Sequence, residues 1–284
     1  MIYTFGGVPV DLGARVHIMG ILNVTPDSFS DGGAHATTAS AVRHGMAMAE
    51  DGADFIDVGG ESTRPGASPV APEEEIRRVV PVVERLRARG FALPISVDTS
   101  KAEVARAALA AGADLVNDVR ALSDPELARA VAEAGVPVVL MHMRGTPADM
   151  ATRAIYADVA AEVAEELAAS LARAEAAGVS RERVLLDPGI GFAKAAEHSV
   201  EVLARLDVLR ALGRPLVVGP SRKSFIGKIT GAAAAERLPG TLAAVTAAVL
   251  AGAEILRVHD VAEARQAALV AAAIRDAARP AAPG

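Results

Sequence analysis

Short apolar runs that end abruptly in a polar residue recur along this chain, with helical patterns between them. Residues 17–22 form such a run and stop at Asn23, and a run from Phe55 stops at Asp57. Residues 93–97 stop at Asp98, 114–116 at Asn117, 136–140 at Met141-His142 and 183–186 at Asp187. Residues 216–218 lead into Gly219-Pro220-Ser221-Arg222-Lys223, and the last run, 255–258, carries Arg257 and meets His259. Such bounded runs predict buried strands. The intervening patterns predict helices over about 38–50, 72–90, 100–112, 123–135, 154–177, 197–212, 241–251 and 261–278, most of them closed by glycine. Ser100 with Glu103, and Asp260 with Glu263, have capping-box spacing. Ahead of the alternation, residues 1–10 predict a hairpin turning at Gly6-Gly7.

A weak repeat supports the count. Asp51-Gly-Ala-Asp54, Ala111-Gly-Ala-Asp114 and Ala251-Gly-Ala-Glu254 each close a helix with glycine and start a strand soon after. Eight strand–helix units in a chain of 284 residues is the size of a (β/α)8 TIM barrel. No G-x-G-x-x-G follows the first strand, which counts against a doubly wound sheet, and no linker divides the chain. The expectation is one α/β barrel domain over residues 1–284, with a short N-terminal hairpin over 1–13 and a frayed tail over 280–284.

In that fold the strand C-termini carry the chemistry. The polar stops therefore form one candidate ring: Asn23, Asp57, Asp98, Asn117, His142, Asp187, Lys223, Arg257 and His259. Composition sharpens this choice. The chain holds only two asparagines, Asn23 and Asn117, one glutamine, Gln266, and four lysines against 25 arginines. Both asparagines and one lysine fall in the ring. Local roles compete: Asp98 could start a helix, Asn117 and Asp187 could shape turns, and His142 reads first as a packed, hydrogen-bonded histidine. Arg257 is harder to explain so, because a lone cation in an apolar strand needs an anionic partner. The absence of cysteine excludes disulfides, thiolate metal sites and cysteine nucleophiles. No H-E-x-x-H or close histidine pair suggests zinc. A net charge of -6 argues against a general nucleic-acid partner. With no apolar run near the roughly 20 residues that span a bilayer, and no basic-then-apolar N-terminal layout, a cytoplasmic protein with no membrane partner is expected.

The loop after Asp57 carries two glycines, Glu61, Ser62, Thr63 and Arg64, and Pro65 stiffens its exit. Taken alone it reads as a phosphate cradle. The ring as a whole changes that reading. Two carboxylates, an amide and a lysine suit a flat heterocycle with amino and ring N–H groups, while Asn23, Arg257 and His259 suit an anion with a magnesium ion.

Seven segments carry a resemblance in matching order: 23–31 (NVTPDSFSD), 57–66 (DVGGESTRPG), 96–99 (SVDT), 141–145 (MHMRG), 187–192 (DPGIGF), 221–227 (SRKSFIG) and 257–260 (RVHD). Over residues 16–274 the chain resembles the dihydropteroate synthase family. The resemblance implies an enzyme that joins 4-aminobenzoate to the methylene of 6-hydroxymethyl-7,8-dihydropterin diphosphate on a (β/α)8 barrel, releasing diphosphate. It implies pterin contacts at Asp98, Asn117, Met141, Asp187, Phe192 and Lys223, and diphosphate contacts at Asn23, Arg257 and His259. It further implies Mg2+ on Asn23, and aminobenzoate contacts at Thr63, Arg64, Pro65, Ser221 and Arg222. Asp31 and Arg64 match a pair that orders two loops over the substrates, and the glycines before Glu61 become hinges. Asp57 is left as a magnesium or loop support. A homodimer is implied, with the alanine-rich helices 241–251 and 261–278 available for close packing. Two departures stand out: Ala193 where the family usually has glycine before Lys194, and Ser199 where asparagine is common. A pterin-dependent methyltransferase would share Asp98, Asn117 and Asp187, but would not need the STRPG loop, the SRK loop or the Arg257-His259 pair. A pterin-binding barrel without turnover is the remaining alternative.

Overall fold

The structure, a computed structural model, describes residues 1–25, 33–64 and 66–278. Asp31, Pro65 and the tail 280–284 lie outside the described residues.

Strands β1 (Ile2–Phe5) and β2 (Val8–Asp11) pair antiparallel through Gly6 and Gly7, whose φ values of 53° and 83° meet the demand of a tight hairpin turn. Eight parallel strands follow: β3 (His17–Asn23), β4 (Phe55–Gly59), β5 (Ile95–Asp98), β6 (Leu115–Asp118), β7 (Val138–Met141), β8 (Val184–Asp187), β9 (Val217–Val218) and β10 (Ile255–Val258). Their order, β8-β7-β6-β5-β4-β3-β10-β9, is closed by a bridge from Leu186 to Leu216. The result is the expected (β/α)8 barrel with its N-terminal hairpin.

Helices α1 (Gly33–Glu50), α2 (Pro72–Ala88), α3 (Ala102–Ala110), α4 (Pro125–Ala134), α5 (Val159–Ala176), α6 (Ala196–Ala204), α7 (Leu206–Arg210), α8 (Ser224–Thr230), α9 (Leu238–Leu250) and α10 (Val261–Ala277) cover the outside. Outward-facing strand residues such as Ile56, Val97, Val116 and Leu186 pack against buried helical residues including Val82, Ala105, Val131 and Val163. Inside, Met19, Phe55, Leu115, Val139, Leu185, Val217 and Ile255 form one apolar layer, closed from below by Tyr3, Phe5 and Leu12. The Tyr3 hydroxyl donates to the Val184 carbonyl at 2.7 Å, so the hairpin is a plug on the N-terminal end of the barrel.

The glycine-acid repeat has a structural purpose. Gly52, Gly112 and Gly252 adopt φ values of 92°, 110° and 95°, beyond the reach of most side chains. The acid two residues later then accepts a backbone N–H at the start of a neighbouring strand: Asp54 from Ile18 at 2.8 Å, Asp114 from Ile95 at 2.7 Å and Glu254 from Leu216 at 2.8 Å.

Several boundaries differ from expectation. The helix expected from 38 begins at Gly33, and the one expected from 154 begins at Val159, capped by the Asp158 carboxylate. The expected helix 197–212 breaks at Arg205, where the backbone turns while Leu203, Leu206 and Leu209 all stay buried. Neither capping box forms. Ser100 instead donates to Asp118, and the Asp260 carboxylate is taken by Arg222.

Candidate active site

Strand alternation builds the site directly on the apolar layer. Two residues above Phe55, Leu115, Val139, Leu185 and Ile255, on the same inward face, stand Asp57, Asn117, Met141, Asp187 and Arg257. Register sets Asn23 beside Gly59, Gly59 beside Asp98, and Asp98 beside Asn117. The polar stops read from the sequence are thus brought to one end of the barrel.

Arg257 lies across the mouth. Its Nε donates to Asp57 Oδ2 at 2.6 Å and one terminal nitrogen donates to Asp98 Oδ2 at 2.8 Å. Asn117 donates its amide to the same Asp57 oxygen at 2.9 Å. Asp57 is fully buried, so its second acceptor matters. Neither Asp57 Oδ1 nor Asn117 Oδ1 has a protein partner, nor does the hydroxyl of Ser96, the residue paired with Asp57 in register. These unpartnered atoms form a buried polar floor beneath the mouth. Asp57 therefore organises the site floor, its side chain joined to Asn117 and Arg257. Burial pushes the Asp98 carboxyl up to about 7, against the opposing pull of Arg257. Asp98 does not cap a helix.

Lys223 reaches in from the β9 loop with its ammonium 3.9 Å from the centre of the Phe192 ring, a cation–π contact. Burial lowers its pKa to about 8, with Arg257 adding repulsion while Asp187 and Asp98 oppose the shift. Burial likewise raises Asp187, whose Oδ1 accepts the Gly189 N–H at 2.7 Å. Asp187 thus shapes its turn and also faces the ring cations. Met141, Phe192, Met150 and Val119 make an apolar wall beside these groups. Behind that wall, His142 is buried as a packed residue, contacting Glu166 and Lys194.

On the other side of Lys223, Ser221 Oγ is 2.9 Å from His259 Nδ1 and accepts the His259 backbone N–H at 3.2 Å. The Ser221 hydroxyl and the His259 ring thus share one hydrogen bond, which fixes the orientation of the imidazole. Burial, followed by repulsion from Arg222 and Arg257, lowers His259 to about 4, so the ring is neutral. Arg222 has a left-handed backbone, φ 57°, fixed by its N–H on Thr241 Oγ1 at 2.9 Å, and its guanidinium pairs with Asp260.

The loop after β4 is tied down at its base. Lys101 bridges Glu61 and the fully buried Glu75, Glu61 accepts the Val70 N–H at 3.2 Å, and Arg78 donates to the Gly60 carbonyl at 2.8 Å. A Cβ at Gly60 would lie 2.9 Å from Glu75 Cγ and Val79 Cγ2. Gly60 is thus a close-approach position on α2, contrary to the expected hinge. Thr63 is half-buried, and Arg64 is exposed and close enough for its charge to oppose that of Lys223.

Lys101, Lys194 and the Asp57 hub were not assigned these places from the sequence. The scarcity of lysine is the signal that would have found two of them: three of the four lysines sit at this end of the barrel.

Among the described residues no group of three histidine, cysteine or acidic side chains is placed to hold a metal. Asn23 ends its strand half-buried at the rim of the mouth. Its single amide oxygen would fit Mg2+ only as one ligand among several.

The sequence profile of the pterin-binding enzymes matches residues 19–259. Dihydropteroate synthase of Escherichia coli K12 is 51% identical over 257 residues, 90% of each chain. The chain belongs to the dihydropteroate synthases. Solved structures of this family agree in shape. That of Xanthomonas albilineans dihydropteroate synthase with 4-aminobenzoic acid superposes with a TM-score of 0.91 at 50% identity, covering 98% of this chain and 99% of that one. The same organism's enzyme in complex with 7,8-dihydropteroate gives a TM-score of 0.88 at 47% identity, covering 99% and 100%. A dihydropteroate synthase is a transferase, and the mouth described above lies where this fold places its catalytic residues.

Proposed function

We propose that this chain joins 6-hydroxymethyl-7,8-dihydropterin diphosphate to 4-aminobenzoate at the barrel mouth, forming 7,8-dihydropteroate and diphosphate. The observation that carries the reading is the convergence of Asp98, Asn117, Asp187 and Lys223 beside the Met141–Phe192 wall at the barrel mouth. A pterin edge offers the amino and ring N–H groups that such carboxylates accept. We assign the pterin to Asp98, Asn117, Asp187 and Lys223, between Met141 and Phe192. The diphosphate is assigned to Asn23, Arg257 and His259. Thr63, Arg64, Ser221 and Arg222 take the aminobenzoate side, together with Pro65 and with Asp31 opposite Arg64. Bound Mg2+, held by Asn23, would supply charge neutralisation for diphosphate.

Chemically, the methylene C–O bond breaks with its electron pair leaving on diphosphate. Arg257 and the neutral His259 stabilise that anion, and Asp98 and Asp187 stabilise the cation left on the pterin methylene. The neutral arylamine forms the C–N bond and then gives up a proton to solvent. No side-chain nucleophile takes part. Thr63 and Arg64 help exclude water from the cation.

Loop residues aside, the whole chain is proposed to act as one domain and to pair with a second copy. Exposed Val200, Ile229 and Leu250 line an apolar groove between α6, α8 and α9, and Leu269, Val270 and Ile274 are exposed on α10. Ile229→Glu is expected to shift a dimer toward monomer in sedimentation. The reading itself is tested by diphosphate release with Mg2+. Release should require both substrates together, and its absence with both present would refute the function.

A further inference from the structure

We propose that Lys194 is a positioning residue of the pterin pocket, an ammonium locked behind the Phe192 wall that holds the 187–194 loop closed and backs the Asp187 carboxylate. This rests on the pterin reading of the pocket.

The loop leaves β8 at Asp187 and returns at Lys194, so its two pocket-facing residues, Asp187 and Phe192, lie on one tight excursion. Its course presses on β7. A Cβ at Gly189 would lie 1.9 Å from the His142 carbonyl oxygen, and the His142 N–H donates to the Asp187 carbonyl at 2.9 Å. Lys194 fills the inside of this excursion. Its Nζ donates to the Phe192 carbonyl at 3.2 Å and lies 2.8 Å from His142 Nδ1. His142 Nε2 in turn lies 3.1 Å from Glu166 Oε2, and Glu166 is gripped by Arg144, with Nε at 2.9 Å. The donor sequence is therefore fixed: ammonium to Nδ1, then Nε2–H to the carboxylate. Arg144 stacks 4.0 Å over Tyr156, whose hydroxyl donates to the Ala193 carbonyl at 2.9 Å, so the chain of contacts returns to the same loop.

A buried ammonium costs free energy unless something holds it. Burial lowers Lys194 to about 7; Asp187 and then Glu166 oppose the shift, while Arg144 and Lys223 add to it. The charges facing Lys194 are thus Asp187 from β8, Glu166 from α5, Arg144 from the β7 loop and Lys223 from the β9 loop, with His142 neutral beside it. An apolar residue there would leave the Phe192 carbonyl and His142 Nδ1 without these bonds. Burial raises Asp187, and the Gly189 N–H, then Lys223, Arg257 and Lys194, oppose that rise, so the Lys194 charge acts on Asp187 from behind the loop that it ties to Phe192 and His142.

The test is a calorimetric titration of the full chain with a pterin lacking the diphosphate, from pH 6 to 9, for wild type, Lys194→Met and Glu166→Gln. Lys194→Met is expected to bind about tenfold more weakly at pH 6 to 7, and the gap should narrow toward pH 9 as wild type loses its Lys194 proton, lowered by burial to about 7. Its KM for 4-aminobenzoate should stay within about twofold. Glu166→Gln, at a half-exposed site, should fold even if Lys194→Met does not, and should weaken pterin binding in the same direction by a few fold. Wild-type affinity and pH profile in both variants, or a loss equal at every pH, would overturn the positioning role. A wild-type chain that fails to bind pterin would instead refute the pocket assignment on which it rests.

Discussion

Arg257 and Asp57, 200 residues apart in sequence, form the central ion pair of the barrel mouth, with Nε and Oδ2 at 2.6 Å. The pair solves the problem of a cation in an apolar strand, and it leaves Arg257 shared with Asp98. On the assignment proposed here, the diphosphate draws Arg257 from Asp98 as the pterin takes Asp98 up, so each half of one substrate releases the other half's partner. Asp57→Asn should cost about 3 kcal/mol of stability by urea denaturation, because one member of a buried pair is lost. Its kcat should also fall, since Arg257 loses its anchor. Unchanged stability and turnover would remove Asp57 from the centre of the site.

Lys223 faces Asp187 and Asp98 and lies over Phe192. Lys223→Ala and Arg257→Ala should each lower diphosphate release by at least about a hundredfold while circular dichroism shows a folded barrel. Unchanged turnover in either folded variant would cancel the role assigned to that residue.

Lys101 joins Glu61 at the root of the β4 loop to the buried Glu75. Lys101→Met loosens that root and strands Glu75. Steady-state kinetics should show the KM for 4-aminobenzoate raised about tenfold, with the KM for the pterin substrate changed much less. Equal changes in both would assign Lys101 to general stability.

Ala193, where glycine is usual in the family, is buried with φ at 47°. A side chain there is strained by about 1 kcal/mol. Ala193→Gly should therefore raise Tm by a few degrees at most, with activity retained, as calorimetry can measure.

His17, His142 and His259 are each lowered by burial from 6.5 to about 4. Between those values the unfolded chain binds more protons than the folded chain, so their contribution falls as pH drops through this window and is complete above it. Asp98, raised by burial to about 7, works in the opposite direction. A comparison with His17→Leu therefore isolates one group. His17 is stacked near Phe55 and neither ring nitrogen has a protein partner. The variant should lose less stability than wild type between pH 6.5 and 4 in urea melts, and parallel curves would contradict the assignment.

The sequence by itself determined the strand count, the hairpin, the glycine hinges between helices and strands, and the list of polar stops. All of these follow from local rules: alternation, apolar runs and glycine at left-handed positions. Ring membership was legible because a residue two steps beyond an apolar inward position must also face inward. Only the tertiary structure decided who pairs with whom. Which side chain Arg257 meets depends on the register of the closed barrel, and no local pattern encodes it. For the same reason Ser100 and Asp260, with sound capping spacing, left their helices for Asp118 and Arg222. Lys194 and His142 meet across 52 residues because Gly189 lets the loop after β8 lie against the end of β7. Local patterning set which residues reach the barrel mouth, and long-range closure set the charges they meet there.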